Sequence, residues 1–65
     1  MNIQTLKAEA IKIIKGFPDL ADDVKDLFEL AKTEIEEGGS ESHECQLAIN
    51  DMEELVKEYK EETHW

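Results

Sequence analysis

From Ile3 the apolar positions run Ile3, Leu6, Ala10, Ile13, Ile14 and Phe17. Their steps of three and four place all six on one side of a helix. Gly16 and the pair Phe17-Pro18 follow. Glycine tolerates the left-handed conformation that closes a helix, and a proline ring crowds the residue before it. The spacing therefore predicts a first helix over about residues 2–15, closed at Gly16.

A second set, Leu20, Val24, Leu27, Phe28, Ala31 and Ile35, repeats the same spacing. Pro18 suits a first helical turn, where its missing amide hydrogen is no loss, and Asp19, Asp22 and Asp23 sit near the positive end of the helix dipole. Gly38-Gly39 supplies the stop, so the second helix is expected over about 19–37. Ser40 and Ser42 are both candidate caps for a third helix, with Ser40 preferred. That helix, over about 41–61, carries Cys45, Ala48, Ile49, Met52, Leu55, Val56 and Tyr59 at the spacing used where helices pack at shallow angles.

Two connections of a few residues make consecutive helices antiparallel neighbours. The expected fold is all-α, a small up-down-up three-helix bundle forming one domain over 1–65. The runner-up is a hairpin of the second and third helices, with the first packing loosely or completing a dimer. A 65-residue chain has a thin core that a partner chain can supplement. Its single cysteine, Cys45, makes no internal disulfide, which fits a reducing compartment. The apolar runs fall far short of a membrane span, and Met1-Asn2-Ile3-Gln4 has no basic segment leading into an apolar one. A cytoplasmic protein is expected.

Three apolar side chains fall off the core stripes. Ile11 and Leu30 lie at helix flanks, where the wide stripe of a globular bundle absorbs such residues. Leu47 lies nearly opposite Cys45 and Met52 and should face outward. Isolated exposed leucines are ordinary; Leu47 beside Leu30 or Ile11 would instead form a candidate dimer or partner surface.

Charge narrows the range of partners. Met1 to Gly16 sets Lys7, Lys12 and Lys15 against Glu9, and the remaining residues bring the chain to a net −10. Such an excess on so small a body repels DNA, RNA and anionic lipid surfaces and favours basic partners, cations or simple solubility. Direct nucleic-acid binding and membrane binding are disfavoured. Like charges stand one turn apart at Asp19 and Asp23, Asp22 and Asp26, and Glu54 and Glu58, each pair costing a few tenths of a kcal/mol. Lys25 with Glu29, Lys32 with Glu36 and Glu53 with Lys57 give partial relief. The ordinary reading is a solvated acidic face; the sharper one is a carboxylate surface that imitates a phosphate backbone.

No catalytic residues, cofactor or metal site are expected. His43, Glu44 and Cys45 are the one cluster with zinc-type chemistry, but helix neighbours diverge, no second histidine follows one turn later, and His64 is in the tail. Cys45 is more simply a small core residue. A Cys45 nucleophile would need a nearby histidine and a substrate cleft, for which a bundle this small has little room. Adjacent pairs such as Glu36-Glu37 and Glu61-Glu62 diverge on a helix and form no general acid and base. No loop has the ligand pattern of an EF-hand. Terminal Trp65 is expected to fold back on the bundle, fray or anchor a partner.

The stretch Ile35-Glu36-Glu37-Gly38-Gly39-Ser40-Glu41-Ser42-His43-Glu44-Cys45-Gln46-Leu47-Ala48, followed by Met52-Glu53-Glu54-Leu55, resembles small uncharacterised acidic helical proteins of bacteriophages and mobile elements. The resemblance implies an intracellular accessory protein and carries over no site residues. The residues point to a non-enzymatic protein-protein interaction module whose partner surface includes Leu30, Leu47, Glu53, Glu54 and Glu58. The alternative is an anionic nucleic-acid mimic that blocks the basic groove of a nucleic-acid-binding protein.

Overall fold

The structure, a computed structural model, describes residues 1–63. His64 and Trp65, and with them the expectations placed on the terminal tryptophan, lie outside the described residues. Three helices, α1 (Ile3–Gly16), α2 (Ala21–Glu36) and α3 (Glu41–Thr63), pack in all three pairings, and the described residues contain no strand. The chain is an all-α three-helix bundle, as the periodicity predicts.

Local chemistry sets the helix ends. Asn2, in extended backbone, accepts a hydrogen bond from the Thr5 amide at 2.8 Å and so caps α1. That satisfies one of the amides left unpaired at a helix start, and it moves the start to Ile3. At the other end the expectation for Gly16 is corrected. Gly16 is the last helical residue, and Gly38 alone among the described glycines has a positive φ. The helix stops because Phe17 takes φ −136° and ψ 74°, outside the α region that a following proline disfavours. Pro18–Leu20 then forms a 3₁₀ turn leading into α2, so the helix expected over 19–37 is a tight turn followed by Ala21–Glu36.

α2 ends in a Schellman motif. The Gly39 amide donates to the Glu34 carbonyl at 2.8 Å and the Gly38 amide donates to the Ile35 carbonyl at 3.1 Å. This reversal puts Gly38 at φ +105°, which glycine alone reaches without a Cβ clash. The chain re-enters helix at once. Ser40 receives the Glu44 amide on its carbonyl at 2.9 Å and the His43 amide on its Oγ at 3.4 Å. α3 runs to Thr63, beyond the expected end at 61.

Among the described residues the nine buried ones all come from the three predicted apolar sets: Leu6 and Ala10 of α1, Leu20, Val24 and Ala31 around α2, and Cys45, Ala48, Ile49 and Met52 of α3. Leu6, Val24, Cys45 and Met52 are completely inaccessible. The remaining members of those sets, from Ile3 to Tyr59, are partly buried against this core. Burial of a Leu, Val or Met side chain contributes about 1.5–3 kcal/mol.

Two long-range ties give the direction of the helices. The Ile3 amide donates to Glu41 Oε2 at 2.9 Å, joining the starts of α1 and α3. At the opposite end the Phe17 ring meets the Tyr59 ring edge-on, with centroids 5.7 Å apart. α1 and α3 are therefore parallel and α2 returns between them, which is the up-down-up order.

Candidate functional site

The antiparallel pairing of α2 and α3 has a simple register. Residues equidistant from Gly39 line the same part of the groove between the helices: Glu34 with Glu44, Leu27 with Asp51, and Asp23 with Leu55. Two helices joined by so short a turn must run back along each other, so distance from the turn sets which residues meet. Tyr59, the counterpart of Asp19 in this register, donates its hydroxyl hydrogen to Asp19 Oδ2 at 2.9 Å.

This register brings Leu30 and Leu47 together. Both line the first stretch of the groove with Leu27, Ala31, Ala48 and three acids, although they lie on different helices. Leu30 is 57 % exposed and Leu47 46 %, so neither is absorbed into the core. Ile11, 43 % exposed, lies apart, in a separate groove between α1 and α2 that Lys7 and Lys25 also line. The sequence alone leaves open which of these residues share a surface; the fold pairs the two leucines.

The groove continues beyond the leucines. Leu27 and Asp51 carry it into a second stretch with Asp23, Asp26, Glu54 and Glu58. Asp23, Leu55 and Glu58 carry it on toward Tyr59 and Glu62. Every charged side chain that lines these three stretches is acidic. Glu54 and Glu58, expected at the partner surface, are part of this wall. Glu53 is exposed but lies a helical step of about 100° from Glu54, outside the groove. Sequence reasoning missed Asp23, Asp26 and Asp51 as groove residues, because on single-helix wheels they are ordinary solvated acids. Counting outward from Gly39 would have found them.

The groups with potential for chemistry are held apart. His43 is exposed while Cys45 is fully buried, because two residues apart they point to nearly opposite sides of α3. Burial, then the nearby Glu41 carboxylate, raise the Cys45 thiol above its ordinary range, against a smaller lowering by the N-terminal ammonium. A thiol held in its protonated form is a poor nucleophile. Among the described residues no three His, Cys, Asp or Glu side chains converge to hold a metal ion, and no helix is long and apolar enough to cross a membrane. At the end of the groove, the hydrogen bond to Asp19 and the charge of that carboxylate, with some desolvation, raise the Tyr59 phenol above its ordinary range.

The groove offers about 220 Å³ in its Leu30–Leu47 stretch and about 430 Å³ in the acidic stretch beyond. It is open along its length and suits the side chains of a macromolecule. No protein-family model, curated protein or solved structure matches this chain.

Proposed function

We propose that this chain is a non-enzymatic protein-interaction module, an accessory regulator that acts by contact through its α2–α3 face in the cytoplasm. The observation that carries the reading is the convergence of exposed Leu30 and Leu47 in one groove with acidic walls. An apolar centre supplies binding energy by leaving water, while charged flanks steer encounter and select partners. The cytoplasmic assignment is supported by a lone buried thiol with no disulfide partner.

The test is a photo-crosslinking residue placed at Leu47 and, as a control, at exposed Lys12 of α1. A protein captured at position 47 alone, which then binds the purified chain and is lost on Leu30→Asp with Leu47→Asp, supports the reading. Capture of the same proteins at both positions, or of none, rejects it.

A second reading, the anionic nucleic-acid mimic, is favoured by the uniformly acidic lining of the groove. It requires the carboxylates and not the leucines. Binding that survives Leu30→Ser with Leu47→Ser, is lost on Glu54→Lys with Glu58→Lys, and competes with nucleic acid would select it.

A further inference from the structure

The residues that line the α2–α3 groove recur at the spacing of a helix-packing surface. On α2 the first stretch takes Leu27, Leu30, Ala31 and Glu34; on α3 it takes Glu44, Leu47, Ala48 and Asp51. Each set steps three, four and seven residues from its first member, the pattern by which one helix receives another. Two such walls facing each other form the seat that a fourth helix fills in a four-helix bundle. α1 packs against both α2 and α3, but the groove lining includes no α1 residue. From Glu44 to Glu62 the seat extends about 27 Å at 1.5 Å per residue, room for roughly five helical turns.

Charge identifies the occupant. Near Leu30 and Leu47 the lining has five apolar residues and three acids, and the adjoining stretch concentrates Asp23, Asp26, Asp51, Glu54 and Glu58 without a lysine among its lining residues. Facing acids raise each other's energy, and a cation laid between them relieves both walls at once. We propose that the groove receives a cationic amphipathic helix of another protein as the fourth helix of a bundle. Its apolar stripe seats on Leu27, Leu30 and Leu47, and its Lys or Arg residues face the acids one to two turns away. This inference rests on the interaction reading above and adds the chemistry and shape of the partner. A second copy of this chain is a poorer occupant, because it brings another −10 to the same interface.

The experiment titrates the intact protein with a fluorescent synthetic peptide of about 18 residues, with leucines on one helical stripe and lysines beside it. A scrambled peptide of identical composition and a peptide with glutamates in place of the lysines are the controls. The expected result is helix formation by the first peptide on binding, at least roughly tenfold weaker binding of the scramble, and none of the acidic peptide. Leu30→Ser with Leu47→Ser should weaken the first peptide about tenfold. Asp23→Asn with Glu54→Gln and Glu58→Gln should weaken it and flatten its salt dependence. Thermal unfolding of each variant checks that the bundle is intact.

Equal binding of the scramble overturns the proposal in favour of simple polyanion attraction. No binding of the first peptide, or binding indifferent to both leucines, overturns it outright. Self-association of the free protein that is lost in the leucine variant assigns the groove to a second copy instead. Each of these failures leaves the interaction reading to the crosslinking at Leu47, so the two are separable.

Discussion

The Tyr59 hydroxyl donates to Asp19 Oδ2 across 2.9 Å, and this bond closes the end of the bundle where α1 turns into α2. The same corner holds two aromatic contacts. Phe17 meets Tyr59 edge-on at an interplanar angle of 78°, and Lys60 Nζ stands 5.6 Å from the Phe17 ring centroid. Phe17 and Asp19, on either side of Pro18, are thus fastened to α3, the first by an aromatic edge and a cation over its ring, the second by a hydrogen bond. The corner also bounds the acidic groove, since Tyr59 lines its last stretch.

Ionisation of Tyr59 should loosen this corner. Its folded-state pKa is raised, chiefly by the Asp19 hydrogen bond, so the bond's contribution is complete below the ordinary phenol value and is lost as pH rises through the folded one. With a single tyrosine in the chain, alkaline absorbance titration reads Tyr59 alone. The expected midpoint lies above that of the urea-unfolded chain and falls toward it on Asp19→Asn. Coincident midpoints in folded and unfolded protein would remove the bond.

Gly38→Ala should destabilise the bundle by about 1 kcal/mol, since alanine resists a backbone at φ +105°. Gly39→Ala should cost at least as much for a different reason. A Cβ there would stand 2.8 Å from the Glu34 carbonyl oxygen and 3.2 Å from Glu44 Cγ, forcing the turn to open. Gly16→Ala, with nothing within 4 Å of its added carbon and a helical backbone, should instead stabilise by up to about 1 kcal/mol. Urea unfolding followed by circular dichroism separates the three; equal losses at Gly16 and Gly38 would contradict the assigned caps.

Core and groove leucines should part company. Leu6→Ala and Met52→Ala, at positions with no accessible surface, are expected to cost about 2–5 kcal/mol. A domain of this length has only about 3–10 kcal/mol of stability, so either change should leave a large unfolded population. Leu30→Ser and Leu47→Ser should each cost no more than about 1 kcal/mol, because about half of each side chain is already exposed. Melting temperatures test both; a large loss at Leu47 would make it a core residue and not a binding one.

Cys45 should be silent to a thiol reagent in the folded protein and react at the rate of unfolding, because its sulfur has no solvent access. Its raised pKa has the same sign as that of Tyr59. The contribution is complete below the ordinary thiol value and declines as pH rises through the folded one. Cys45→Ser should cost about 1–3 kcal/mol by placing a hydroxyl in an apolar site, and Cys45→Ala less. Rapid labelling under conditions where circular dichroism shows the helices intact would contradict this burial.

The elements were legible because each is specified locally. Pro18 marks the entry to α2 and Gly38-Gly39 its exit, and the apolar steps of three and four name every residue found buried among those described. Two local details escaped. One is Asn2 as the α1 cap, although an asparagine ahead of a helical pattern is itself a local signal. The ending at Gly16 had two sufficient causes in sequence, a glycine and a proline-restricted phenylalanine, and propensity does not rank them; in the fold Phe17 makes the break.

By itself the sequence determined the three helices, their core faces and an acidic surface, since periodicity, turn chemistry and charge act over one or two turns of chain. Only the tertiary structure decided that Leu30 meets Leu47, that Asp23 and Asp26 face Asp51 and Glu54 across one groove, that Glu53 is left out of it, and that Asp19 bonds Tyr59. A helical wheel gives each side chain an angle about its own axis. The relative rotation and register of two helices are set by the packing of the core between them and by the geometry of the turn that joins them.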